Sequence, residues 1–264
     1  IIKLLIVLFM AAYLAETADV LAAAKPWSLR ANAKYLGPLI LGWGASMAIL
    51  VFERDIGMAS LLLGTFAAML YVATRRVDLI AGGAAIFALA VWWAIRHYPY
   101  VVARFEAWRD PFADPLGHGY QALQALFSLA AGGLFGTGYS LGHPEFIPAV
   151  QTDYVYAAWS EEFGALGGLV LLALFFAAVV RALQTAQAQP DIYAKLLACG
   201  LAATLGFQTF IIAGGVLALF PLTGITLPFI SYGGSSLVAN FLLIALLWAI
   251  GAERARGATP AATT

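Results

Sequence analysis

Residues 163–182 read FGALGGLVLLALFFAAVVRA, twenty positions whose single charge, Arg181, sits near the far end. A helix needs roughly 20 apolar residues to cross the hydrocarbon core of a bilayer, so this run reads as a membrane span. Six further runs read the same way: 2–15, 35–53, 56–74, 78–96, 191–218 and 234–251. Composition agrees, with 62% hydrophobic and only 11% charged residues, where a soluble domain carries about 25% charged. The expected architecture is therefore an all-α, polytopic helical membrane bundle forming a single domain over 1–264. Its formal net charge of zero gives no sign of a nucleic-acid partner, and none is expected. The one cysteine, Cys199, lies inside an apolar run, so no intrachain disulfide can form. No signal peptide is expected from the start of the sequence, which falls on Ile1 inside an apolar stretch; the expectation is an N-terminal part preceding it.

Working back from 163, the chain is polar for an unusual length. Residues 97–162 form the longest interruption between spans and carry RFEAWRDP (104–111), HGYQ (118–121), GGLFGTG (132–138), QTDY (151–154) and SEEFG (160–164). Loops this long are functional or disordered, and the density of Trp, His and Tyr argues against disorder. The segment reads as a folded cap over a site at the membrane surface. Lys and Arg set its side. With residues 16–34 taken as cytoplasmic, Arg75, Arg76, Arg181 and Lys195 also fall inside, while acidic residues such as Glu106, Asp110, Asp153 and Glu161 fall outside. The cap is then extracytoplasmic, where nucleotide-activated donors are absent. Beyond 191–218 comes LFPLTGITLPFISYG (219–233), apolar and uncharged but broken by two prolines and repeated glycines. Irregular backbone at membrane depth survives only where protein covers it or it lines a cavity, so this is read as a re-entrant wall on the cap's side.

Asp153 is the sharpest chemical candidate. Thr152 before it looks like a helix cap, which would put the carboxylate in a first helical turn favouring its charged form, sheltered by Tyr154 and Tyr156. It reads two ways, as a simple helix-terminal acid or as a general base. Counting at 100° per residue places Glu161 about a quarter turn from Asp153 and Glu162 opposite; the pair is either an interfacial charge pair or a support for the site. Arg104, Trp108, Arg109 and Asp110 make a compact turn in which guanidinium forks suit phosphate oxygens and Trp108 is alternatively a headgroup-level anchor. Arg54 and Asp55 sit at a pinch between two spans and could simply pair with each other. Lys3 is an intramembrane cation, to be paired or snorkelling. His97, His118 and His143 have no metal-ligand spacing, and no nucleotide loop or Ser/His/Asp arrangement is present.

These motifs, in this order and covering essentially the whole chain, resemble the SEDS family (shape, elongation, division and sporulation), the RodA/FtsW/SpoVE peptidoglycan glycosyltransferases. Family members have ten helices, so the chain would supply the fourth to the tenth. The resemblance implies a multi-pass protein of the bacterial cytoplasmic membrane that polymerises lipid II on the extracytoplasmic side, with inversion, Asp153 as general base and undecaprenyl pyrophosphate as leaving group. It implies substrate contacts from Lys3, Arg54, Asp55, Arg104, Trp108, Asp110, Glu161, Ser231 and Ser235. It further implies a class B penicillin-binding protein as transpeptidase partner and a divalent cation, Mg or Mn, as the one candidate cofactor. Asp55 matches the family's acidic-Gly turn, though most members have Pro where Arg54 stands, and Tyr154 replaces a commoner Phe. Two other readings stay open: a flippase for the lipid-linked precursor, which needs hydrophilic groups through the full depth of the bundle, and a non-catalytic scaffold for the transpeptidase.

Overall fold

The computed structural model describes residues 1–23, Gly37, Gly44 and 55–257. Apart from those two glycines the expected span 35–53 lies outside them, and so does Arg54. The described residues form helices α1 (Ile2–Ala23), α2 (Ile56–Thr74), α3 (Val77–His97), α4 (Pro99–Arg109), α5 (Tyr120–Gly132), α6 (Val155–Gln187), α7 (Ile192–Val216) and α8 (Gly234–Gly257), with one 3₁₀ turn at Pro144–Phe146. Among them, six helices are long and apolar enough to cross a membrane: α1, α2, α3, α6, α7 and α8 over Gly234–Glu253. The protein is an all-α polytopic membrane bundle.

Span limits follow the apolar runs except where helix continues past them. Spans α2, α3, α7 and α8 start within one residue of the expected positions. Helix α1 runs on to Ala23 through Glu16 and Asp19, because those side chains stay exposed at its end and Thr17 returns its hydroxyl to Tyr13 O at 2.7 Å. The cap is more regular than expected, since α4 and α5 occupy 24 of its positions (11 and 13 residues).

Helix α7 is the axis, packed against α1, α2, α6 and α8. Its small residues make this possible. A Cβ on Gly200 would stand 2.6 Å from Met69 Sδ and 2.8 Å from Val7 Cγ1, so three helices meet there with no room for a side chain. In contrast, no residue of α3 is buried in the bundle.

Helix α6 differs most from expectation. It begins at Val155, eight residues before the run that announced it, and is broken at Gly164 (φ 71°, ψ −179°). A break frees carbonyls before it and N–H groups after it, and both must find partners at membrane depth. The glycine run supplies them. Thr137 N and Gly138 N donate to Glu161 O and Glu162 O at 2.9 and 3.1 Å, while Ala165 N and Leu166 N donate to Gly133 O and Leu134 O at 2.8 and 3.2 Å. Glycine is required on both sides of this joint: a Cβ on Gly164 would lie 2.3 Å from Leu134 O, and one on Gly136 would lie 2.1 Å from Glu162 O.

The 217–233 stretch is irregular and folded into the bundle, with Ile225, Leu227 and Ser231 buried. It crosses the start of α2 at Gly57, where a Cβ would meet Ile225 Cγ2 at 2.6 Å.

Candidate active site

Three pieces of chain converge at one end of the bundle: α4, the turn before α6, and the 217–233 segment. Helix α4 leans on that segment through side chains one turn apart. Arg104 Nη1 donates to Thr223 O at 3.4 Å and Trp108 Nε1 to Ala218 O at 2.9 Å. Asp110 follows as C-cap and accepts from Phe112 N at 3.1 Å, turning the chain at Pro111.

Asp153 is held from behind. Ser231 Oγ accepts from Leu227 N at 2.8 Å and donates to Thr152 O at 2.6 Å, and Tyr232 N donates to Gln151 O at 2.8 Å. These bonds clasp residues 151–152 to the 227–232 turn. The Asp153 side chain then projects toward Gly224, whose φ is 77°; a Cβ there would be 3.5 Å from Asp153 Oδ2 and 4.0 Å from Arg104 Nη2. The absent side chain leaves a gap between acid and cation, and no ion pair within 4.0 Å bridges it.

Asp153 is not in a helical turn. The N-cap of α6 is Tyr154, without a side-chain bond, and the Thr152 hydroxyl donates to Ala149 O at 3.1 Å instead of capping. Burial pushes the Asp153 carboxyl above its ordinary value; the Arg104 guanidinium pulls it down, and Asp55 adds to the rise. The expected macrodipole stabilisation gives way to desolvation, which makes the carboxylate a stronger base.

The gap opens into a cavity of about 540 Å³ lined by Arg104, Trp108, Arg109, Asp110, Asp153 and, unforeseen as site residues, Tyr100, His118 and Gln121. A second, apolar cavity of about 480 Å³ adjoins it, walled by α3, the start of α2, Phe105 and Pro221, and shares Tyr100, Arg104 and Leu222 with the first.

The other expected site residues stand apart. Asp55 caps α2, accepting from Met58 N at 2.8 Å, and reaches Asp153 only through its charge. Glu161 is buried on the loop side, its Oε1 accepting from His143 N at 2.9 Å and its Oε2 without a partner. Helical phase counted from Asp153 misplaces it because residue 153 precedes the helix. Lys3 turns its ammonium to Gln208 Oε1 and Asn240 Oδ1, each at 2.6 Å, and is not on the cavity wall. Ser231 is taken up by the clasp, and Ser235 is exposed outside the cavity. Sequence reading passed over Gln208 and Asn240; a lone polar residue inside an otherwise apolar span is the signal that marks them.

The FtsW/RodA/SpoVE family model, described as cell cycle protein, matches residues 1–256. The chain belongs to that family. Relatives include the peptidoglycan glycosyltransferase RodA of Mycobacterium tuberculosis, 46% identical over 221 residues (83% of this chain, 47% of the relative). Stage V sporulation protein E of Bacillus subtilis is 35% identical over 205 residues, 77% of this chain and 56% of that protein. The chain spans about half the length of the curated relatives it matches. Among solved family structures, a chain from a peptidoglycan synthase complex coordinating polymerization and crosslinking superposes with TM-score 0.72 at 28% identity, covering 96% of this chain and 70% of that one. Thermus thermophilus rod shape determining protein RodA superposes with TM-score 0.57 at 26% identity, covering 94% of this chain and 64% of that one.

Proposed function

We propose that this family member is the catalytic part of a peptidoglycan glycosyltransferase that polymerises lipid II, with Asp153 as general base. The observation that carries this is a carboxyl raised by burial, set across an open gap from a guanidinium, in a polar cavity that adjoins an apolar one. A lipid-linked sugar pyrophosphate needs both: the polar cavity for sugar and pyrophosphate, the apolar one for the start of the lipid tail. In the reaction the acceptor sugar hydroxyl gives its proton to Asp153 as its oxygen bonds the anomeric carbon. The bond to the pyrophosphate breaks on the opposite face, and undecaprenyl pyrophosphate leaves with the electron pair. An α-linked donor thus gives a β-linked product in one displacement. Arg104 and Arg109 supply donors to the developing charge, while Trp108 and Asp110 shape the cavity wall.

Among the described residues no group of three or more His, Cys, Asp or Glu could hold a metal ion. A divalent cation is therefore assigned to the pyrophosphate itself rather than to a protein-built site, and no step depends on it. We place the site on the extracytoplasmic face of the bacterial cytoplasmic membrane from the Lys and Arg distribution. A class B penicillin-binding protein is the proposed partner, a reading supported by the similarity to a chain of a synthase complex. The test is lipid II polymerisation in vesicles given substrate only from outside. Wild type should polymerise it, and Asp153→Asn, normally inserted, should lose about 10²–10⁴-fold. Retained polymerisation removes Asp153 as base; translocation without polymerisation makes the protein a flippase.

A further inference from the structure

Lys3 is a buried cation whose ammonium is held by two side-chain amides from two other helices. Lys3 is 5% exposed, lies on a membrane-spanning helix, and has its ammonium between two amide oxygens, Gln208 Oε1 on α7 and Asn240 Oδ1 on α8, both at 2.6 Å. An ammonium only donates, so it fixes which way each amide faces. With both oxygens turned to Lys3, both NH₂ groups must point away, and each finds an acceptor. Gln208 Nε2 donates to Thr226 O at 2.8 Å. Asn240 Nδ2 donates to Ser236 Oγ at 3.4 Å, and Ser236 Oγ in turn shares a hydrogen bond with Thr226 Oγ1 at 2.7 Å. Both branches end on Thr226. The next residue, Leu227, donates its N–H to Ser231 Oγ, which holds Thr152 O, the carbonyl immediately before Asp153.

We propose that Lys3 is a positioning residue: by orienting Gln208 and Asn240 it pins the irregular segment at Thr226, and through Ser231 it sets the placement of Asp153. This rests on the glycosyltransferase reading for its catalytic consequence but not for its structural one. It differs from the expectation that Lys3 meets the substrate: two of the three ammonium N–H groups are taken by Gln208 and Asn240, and the side chain is not on the cavity wall. Without the ammonium the Gln208 and Asn240 amide oxygens lose their donor in a buried setting, so neither side chain is held in the rotamer that reaches Thr226 or Ser236. The segment then loses its anchor while every cavity-lining side chain is retained.

The test compares Lys3→Met and Gln208→Glu with wild type in the membrane-inserted protein. Gln208→Glu keeps an acceptor for Lys3 but loses the donor to Thr226, so it cuts the chain of bonds downstream of an intact lysine. Hydrogen exchange is read on peptides spanning 221–233 and 149–154, with 56–74 as internal reference. Polymerisation is read as kcat and KM separately. Positioning predicts roughly tenfold faster exchange in both peptides, the scale of a lost buried hydrogen bond, in both variants. It also predicts kcat falling by about 10²-fold, as for a reacting group displaced by about 1 Å, with KM little changed. Unchanged exchange in either peptide, or a loss confined to KM in Lys3→Met with Gln208→Glu active, overturns the proposal. Should Lys3→Met not insert, Gln208→Glu decides by the same readouts. Should wild type itself fail to polymerise lipid II, the functional reading falls, and the exchange data alone decide whether Lys3 holds the segment.

Discussion

Two irregular stretches interrupt the helices of this bundle, and they are held by different means. The 132–138 run is joined to the break in α6 by backbone bonding to backbone: four N–H groups and four carbonyls pair across it, and Gly136 and Gly164 make the close approach possible. The 217–233 segment is held largely by side chains, those of Arg104, Trp108, Gln208 and Ser231. A backbone joint depends on having no side chain and is indifferent to chemistry. A side-chain joint depends on particular donors and can be adjusted one bond at a time. The second is the one that touches the residues carrying Asp153, so substitutions at the first should damage the fold and substitutions at the second should damage catalysis.

The largest effect should come from the backbone joint. Gly164→Ala forces a left-handed backbone, a cost of about 1–3 kcal/mol, and drives a methyl into Leu134 O on top of that. We expect loss of folded protein, read as a collapse in thermal stability in detergent; a stable and active variant would break the contrast. Ser231→Ala comes next. It removes an acceptor from buried Leu227 N and a donor from Thr152 O, costing about 1–3 kcal/mol. Polymerisation should fall by more than stability alone explains, about 10²-fold in kcat. Equal loss of folding and activity would erase the distinction. Trp108→Phe is the mildest of the three. It deletes one hydrogen bond to Ala218 O at a partly exposed position, worth about 1 kcal/mol, and should lower kcat/KM about fivefold.

The six described spans were legible because each is a run long enough to cross a bilayer, and 56–74 coincides with α2 residue for residue. The interior of the cap was less so. Helix α4 mixes Tyr, Arg, Glu and Trp on all faces, because its neighbours are a polar cavity on one side and an apolar one on the other. The α6 break hides in FGALGG, where one glycine out of three leaves the helix and nothing local says which. Asp153, Arg104, Trp108 and Asp110 could be found as neighbours from the motifs that also carry the family resemblance. The support of Asp153 could not: it depends on Ser231 meeting Thr152, 79 positions earlier in the chain, and on Gln208 and Asn240, single polar positions with no spacing to mark them, meeting Lys3 205 and 237 positions earlier.

The central claim is that Asp153 acts as a base whose strength its surroundings set, and the pH dependence of kcat tests it most directly. Because burial raises the carboxyl, the ascending limb should lie above the ordinary aspartate range, with activity gained as pH rises through it. Asp55→Asn, which keeps the helix cap while removing a negative neighbour, should move the limb to lower pH. Arg104→Ala, which removes the cation, should move it to higher pH. A limb that stays in place in both variants would contradict the account.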